Sequence, residues 1–231
     1  MLTQVIDSYI SEKRESQTRD NSRFRVSDAG RCRLMRYWKR LGLAPSDQPD
    51  ERTLRVFEVG HVFHNWLQDL LEDQGALAGR EIRVEDLHRI GHIDALVLTG
   101  KGPLVLYDFK TVNSRKFSYL SAEGDRHYHF QAATYALMLP VGVGEIRLAY
   151  ISKDDLRIRE VPVDLEAIRD SVNEDWAILI EAWRAGHEPE ANPMDWECPY
   201  CGYASTCPQR HNGEKPKSRK TKKENAVQQA A

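Results

Sequence analysis

The stretch Gly91-His92-Ile93-Asp94-Ala95-Leu96-Val97-Leu98 and its continuation Leu104-Val105-Leu106-Tyr107-Asp108-Phe109-Lys110-Thr111 decide how the chain is read. Between them lies Thr99-Gly100-Lys101-Gly102-Pro103, which is turn chemistry. Each run is apolar enough to be a buried strand, yet each carries charge. A buried ionised group is costly unless it is paired or ligates a metal, so these charges are informative. Centring the hairpin on Lys101 sets Asp94 opposite Asp108, with Cβ atoms about 5 Å apart. Lys110 lies two residues beyond Asp108 and shares its face. Two carboxylates so close repel each other unless a divalent cation bridges them.

Two hard oxygen ligands suit Mg²⁺ or Mn²⁺. Such an ion polarises a phosphodiester and lowers the pKa of a bound water, and Lys110 can position that water or stabilise charge developing on the phosphate. The competing reading is a pair of salt-bridged residues on a surface hairpin. A one-residue bulge would break the register on which the first reading depends.

Outward from the hairpin, residues 52–74 read as a long helix with Phe57, Gly60, His64, Leu67 and Leu71 on one face, stopped by Gly75. Strands are expected near 80–87, 90–98 and 103–110, a helix over 126–139 ending before Pro140, strands near 145–151 and 156–162, and a helix over 164–185. Toward the amino terminus, residues 1–22 are polar and helical in tendency, weakly tied to the rest. Residues 30–42 form a short basic-aromatic helix ended by Gly42. This order suits an α/β fold, a mixed sheet flanked by helices. The expected organisation is a helical segment over 1–51, a core over 52–186, a cysteine-bearing module over 187–210 and a disordered basic tail over 211–231.

The chain has 231 residues, enough for one good-sized domain with an appended module. Hydrophobic residues make up 41%, enough for a core, and the net charge of −2 means that any nucleic-acid footprint is local. Arg31, Arg33, Arg36, Lys39 and Arg40, with Tyr37 and Trp38 interleaved, form the strongest local candidate: cations to neutralise phosphates, aromatics to stack on unpaired bases. The alternative is a solvated helix packed inward by its aromatic residues. The tail lysines Lys215, Lys217, Lys220, Lys222 and Lys223 add non-specific attraction or serve solubility. No run approaches a membrane span, and the start turns polar too soon for a secretory signal, so a cytoplasmic protein is expected.

In that compartment cysteines are ligands or bystanders more often than disulfides. Cys198, Cys201 and Cys207 form C-x₂-C-x₅-C, and Cys32 precedes Cys198 by 166 residues. A zinc ribbon would show a second C-x₂-C pair; four thiolates can also hold a [4Fe–4S] cluster. Zinc and unligated reduced thiols stay open as alternatives.

The pattern G-x-I-D, a turn, then D-x-K-T resembles motifs II and III of the PD-(D/E)XK nucleases, in particular their RecB-like branch. Gly60-His61-Val62-Phe63-His64 resembles that branch's G-x-x-x-H helix, and Gln131-Ala132-Ala133-Thr134-Tyr135 its Q-x-x-x-Y helix. One amino-terminal cysteine with three clustered near the carboxyl end resembles the iron–sulfur nucleases of the branch, the AddB subunit and the CRISPR-associated Cas-four type. The likeness spans residues 27–208; proline usually follows the first cysteine, where this chain has Arg33.

The resemblance implies a restriction-endonuclease-like fold whose two ends are joined at a four-cysteine cluster. It implies His64, Asp94, Asp108 and the Phe109 carbonyl as metal ligands, with Lys110, Gln131 and Tyr135 completing the catalytic set. His61 is the weaker histidine candidate and Glu81 a further acidic neighbour. Read without the family, His64 is a core histidine, and Gln131 and Tyr135 lie on a packing face. The implied activity is exonuclease cleavage of DNA, single-stranded or with free ends, alongside recombination or CRISPR adaptation proteins. The alternative is an idle iron–sulfur nucleic-acid-binding subunit.

Overall fold

The structure, a computed structural model, describes residues 1–16, 20–100 and 102–210. In chain order its helices are α1 (Leu2–Ser16), α2 (Arg33–Leu41), α3 (Glu51–Asp73), α4 (Ser114–Ser118), α5 (Arg126–Met138) and α6 (Leu165–Ala185). Its strands are β1 (Phe24–Arg25), β2 (Leu77–Glu85), β3 (Arg89–Val97), β4 (Val105–Val112), β5 (Glu145–Ser152) and β6 (Ile158–Pro162). The basic tail and Lys101, the expected centre of the hairpin, lie outside the described residues.

Strand β3 is the hub. One of its edges pairs antiparallel with β2 along most of its length. Its other edge is shared: β1 lies parallel to it at Arg89 and Ile90, and β4 antiparallel at Ala95, Leu96 and Val97. Beyond β4 come β5, parallel, and β6, antiparallel. The sheet is therefore mixed, as expected. The register also holds, since Ala95 faces Tyr107, Leu96 faces Leu106 and Val97 faces Val105. Between the β1 and β4 pairings, residues 91–94 have no strand on that edge, and Asp94 lies at the fork.

The pleat sends alternate side chains to two layers. Ala95, Val97, Phe109, Ala149 and Ile151 face Phe63, Leu67 and Leu71 of α3. Leu96, Leu106, Leu148 and Tyr150 face the larger core built with α2, α5 and α6. Phe24, Val26, Leu34 and Tyr203 belong to that same core, so the amino-terminal segment and the cysteine module both contribute to it.

Three expectations need correction. Phe57 is not on the buried face of α3; it is 55% exposed, whereas Gly60 closes on Thr111 of β4, and Leu67 and Leu71 pack against the core. Helix α1 is better anchored than its polarity suggests, through buried Ile10 and the pairs Lys13–Glu58 and Arg55–Asp7. Strand β1 and helix α4 were not expected; β1 has two residues and exists through its pairing with β3.

Candidate active site

Asp108 occupies the middle of β4 and is almost wholly buried, at 1% exposure. Its Oδ1 accepts a hydrogen bond from Gln131 Nε2 at 2.9 Å. Its Oδ2 lies 2.6 Å from Lys110 Nζ as an ion pair, outside hydrogen-bond geometry. Lys110 Nζ donates to Gln131 Oε1 at 3.1 Å and sits 4.4 Å from the centre of the Tyr128 ring. Gln131 thus engages both members of the pair from one turn of α5. Tyr135, one turn further, stands 3.5 Å from Gln131 Nε2 and packs closely on Gly91 in the unshared stretch of β3.

Where β3 and β4 part, the Asp94 carboxylate enters the gap. Its Oδ2 accepts from the Phe109 backbone N–H at 2.7 Å, and its Oδ1 lies 3.4 Å from His64 Nδ1. The Phe109 ring meets His64 edge-on at a centroid distance of 5.8 Å. The fork thereby lets a histidine from the α3 layer and a carboxylate of β3 meet beside the β4 pair. His61 points outward, 69% exposed at its side chain, near Glu58.

The electrostatics follow from burial. Desolvation, helped by the Asp94 charge, pushes Asp108 up to about 6 in spite of Lys110. Burial disfavours charge on Lys110 too, but Asp108 and Asp94 outweigh it and raise the ammonium. For His64 burial is again overcome, by the hydrogen bond and charge of Asp94, so its pKa rises. Burial first, then the two aspartates, hold the Tyr135 phenol well above its ordinary value.

A cation fits this donor set: hard carboxylate oxygens, an Asp108 oxygen buried without a hydrogen bond, and a carboxyl whose charge is under-compensated. As the side chains stand, no three His, Cys, Asp or Glu groups among the described residues converge closely enough to hold one ion. Asp94 and Asp108 are instead spent on Phe109 and Lys110, and loading would require them to turn toward a common point.

Gln68 is a residue that sequence reasoning missed. It is fully buried, and its Nε2 donates at 2.8 Å both to the Asp94 carbonyl and to Glu81 Oε1. Glu81 itself adopts a left-handed φ of 47° within β2. The signal was available: Gln68 follows His64 by four residues and so shares its helix face.

Cys32, Cys198, Cys201 and Cys207 line one cavity, with Leu34, Met35 and Trp38 around them. Burial raises the thiol pKa of Cys32, Cys201 and Cys207, which favours the protonated form. Glu197, also missed, binds the two chain ends together: it accepts from Arg31 Nε at 2.9 Å, the Cys32 N–H at 3.2 Å and the Met194 N–H at 3.0 Å.

The basic-aromatic helix α2 needs a correction. Arg36, Tyr37 and Trp38 are buried. Tyr37 packs on Trp183, and Trp38 packs on Tyr203 and donates to Glu188. Arg33 and Arg36 both bind Asp175, and Arg36 lies over Trp176. Their aromatic faces and half their charge are consumed by the interior, which leaves Tyr37 and Trp38 no surface for stacking on bases.

An acid–acid–lysine set at the fork of a mixed sheet flanked by helices defines an α/β protein of the restriction-endonuclease-like type. The chain belongs to the PD-(D/E)XK nuclease superfamily, whose family model matches residues 75–208. Among solved structures it is similar to SSO0001, with a TM-score of 0.59 and 20% identity over 91% of this chain and 97% of that one, a likeness of fold. A provisionally named exonuclease from Eubacterium rectale is more distant, with a TM-score of 0.49 and 14% identity over 85% of this chain and 90% of that one. No curated protein matches the chain.

Proposed function

We propose that this protein is a divalent-cation-dependent DNA nuclease, an exonuclease on single-stranded or end-containing DNA, with Asp94, Asp108, His64 and the Phe109 carbonyl holding Mg²⁺ or Mn²⁺. The observation that carries the reading is the buried Asp108–Lys110–Gln131 network beside the Asp94–His64 pair. When bound, the cation supplies polarisation of the scissile phosphodiester and a water acidified toward neutrality. Lys110 keeps its proton beside two carboxylates, so it acts as a donor to a phosphate oxygen or to the attacking water and not as the base. Gln131 aims Lys110 and Asp108 together, while Tyr135 backs Gln131 and packs on Gly91 of β3. Membership in a nuclease superfamily supports the reaction class.

The four cysteines are read as ligands of a [4Fe–4S] cluster. In support, all four line one cavity. Ligation would displace the thiol protons that burial now favours. Partners in recombination or CRISPR adaptation follow from the resemblance alone. Among the described residues no helix is long and apolar enough to cross a membrane.

The test is digestion of end-labelled single- and double-stranded DNA with Mg²⁺, Mn²⁺ or chelator, for the parent, Asp108→Ala and Lys110→Ala. The expected result is cation-dependent release of short products from an end, reduced at least about a hundredfold in both variants. Cleavage that survives both substitutions, or DNA binding with no cleavage under any cation, would reject the reading.

A further inference from the structure

Helix α3 runs antiparallel to β4: its Gly60 closes on Thr111, and His64, one turn later, meets the Phe109 ring. Strands β3 and β4 pair only between Ala95–Val97 and Val105–Tyr107, so the fork opens toward the Thr111 end of β4. Phe57 lies one turn before Gly60, about 4.5 Å further along the helix axis in that direction. It precedes His64 by seven residues and so shares its face. Its ring is 55% exposed, and His61, between the two, has 69% of its side chain in solvent. Helix α1 docks on another part of α3, through Asp7–Arg55 and Lys13–Glu58. A row of rings thus leads along α3 from solvent to the Asp94–His64 pair.

An exposed phenyl ring by itself is ordinary. This one stands in line with the site, about 10 Å along α3 from His64, a few nucleotides' length of strand. We infer that Phe57 is a stacking platform for an unpaired base of the strand whose phosphate enters the fork. The inference rests on the nuclease reading for the position of that phosphate. Lys153, whose N–H bonds the Val112 carbonyl at 2.8 Å, stands at the same end of the sheet. It has no ion pair among the described residues, which leaves a cation for the strand's backbone. A ring can take the place of a neighbouring base only where the base is unpaired, because each base of a duplex is already stacked on both faces. The platform therefore selects strand-separated substrate beside the scissile bond, and a duplex end has to melt before it is engaged.

The test uses the full chain in chelator, with a fluorescent oligothymidylate and a blunt duplex, read by anisotropy. Phe57→Ala should bind the single strand about tenfold more weakly and the duplex as the parent does. Phe57→Leu should lose as much, because it keeps the apolar bulk without the ring, and Phe57→Tyr should bind like the parent. Val62→Ala is the control: Val62 is 58% exposed and lies about 140° round the helix from Phe57. It should leave both affinities unchanged. A single abasic nucleotide moved along the strand should weaken the parent at one position and leave Phe57→Ala indifferent there. The exposure of Phe57 lets these variants fold, which circular dichroism checks.

Parent-like binding of the single strand by folded Phe57→Ala overturns the inference. So does a Phe57→Leu variant as tight as Phe57→Tyr, which would make the contact apolar and not stacked, or an equal loss in Val62→Ala. A parent that cleaves with divalent cation, while Phe57→Ala binds as the parent does, keeps the nuclease reading and loses the platform. A protein that cleaves nothing yet needs the Phe57 ring to hold single strands keeps the platform and loses the nuclease reading.

Discussion

Both amide contacts of Gln68 are made at the candidate site, one to the Asp94 carbonyl and one to Glu81. A leucine there would leave a buried carbonyl without its donor, at a cost of about 1–3 kcal/mol. It would also free the segment that carries Asp94, and small misplacements at a reacting centre cost rate steeply. Gln68→Leu should lower the denaturant midpoint and cut nuclease turnover at least about tenfold while DNA affinity in chelator is unchanged; unaltered turnover would remove Gln68 from the positioning set. His127 gives a second test at this scale. Burial depresses its pKa to about 4, and Nδ1 has no partner. Below the ordinary histidine pKa of about 6.5 the unfolded chain takes up a proton that the folded chain refuses, so stability falls as pH drops from about 6.5 toward 4. Replacing the imidazole by a ring that cannot titrate removes this loss. Relative to the parent, His127→Phe should therefore gain roughly 2 kcal/mol between pH 7.5 and 4.5 in urea unfolding; parallel pH profiles would show the histidine to be solvated. At this scale Asp94, Asp108 and Lys110 were legible because charge in an apolar strand demands an explanation. Gln68 and Glu197 were not, because an uncharged amide and a lone glutamate advertise nothing until their neighbours are known.

Among elements, the shared edge of β3 is what builds the site. The strand stays paired with β2 while its other edge passes from β1 to β4, and the unpaired interval admits Tyr135 and opens toward Phe109. Gly91 makes that close approach possible. A Cβ there would stand 2.6 Å from Tyr135 Cε1 and 2.9 Å from Val26 Cβ. Neither neighbour is a flexible tip, since both belong to the main core. Gly91→Ala should therefore cost about 1–3 kcal/mol by overpacking and displace Tyr135 from Gln131. The expected readings are a lowered unfolding midpoint and reduced turnover, both largely restored by pairing the change with Tyr135→Leu; a fully stable single variant would mean that α5 can simply shift. The hairpin register was legible, because the turn and the period of two fix it together. Strand β1 was not, since two residues carry no period, and the α3 stripe was drawn through Phe57 because periodicity cannot tell where along a helix its apolar face stops being covered.

For the molecule as a whole, the question is what holds Cys32 beside a module 166 residues away. Closing a loop of that length costs about 4–5 kcal/mol of chain entropy. The Glu197 carboxylate contributes with Arg31 and two backbone N–H groups. Further contacts are the Trp38–Tyr203 ring pair, the Tyr203 hydroxyl on the Leu43 carbonyl and Ser205 on Asp47. Removing the Glu197 carboxylate leaves a part-buried guanidinium and two backbone N–H groups without their acceptor, at about 1–3 kcal/mol each, comparable in sum with the closure term. Glu197→Ala should therefore loosen the module even where all four cysteines remain, whereas Cys207→Ala tests ligation itself. If a cluster adds substantially to the clamp, purified parent protein should be brown and carry iron and sulfide. Cys207→Ala should then lose both colour and several degrees of melting temperature, and Glu197→Ala should lose stability while retaining part of its iron. A colourless parent, with Cys207→Ala melting like it and Glu197→Ala melting lower, would mean that carboxylate and aromatic contacts suffice and that the thiols are bystanders. Because Asp108, Lys110 and Gln131 draw on β4 and α5 and not on this clamp, turnover per folded molecule should stay near the parent value in Glu197→Ala. A loss of turnover larger than the loss of folded protein would instead tie the cysteine module to the substrate path.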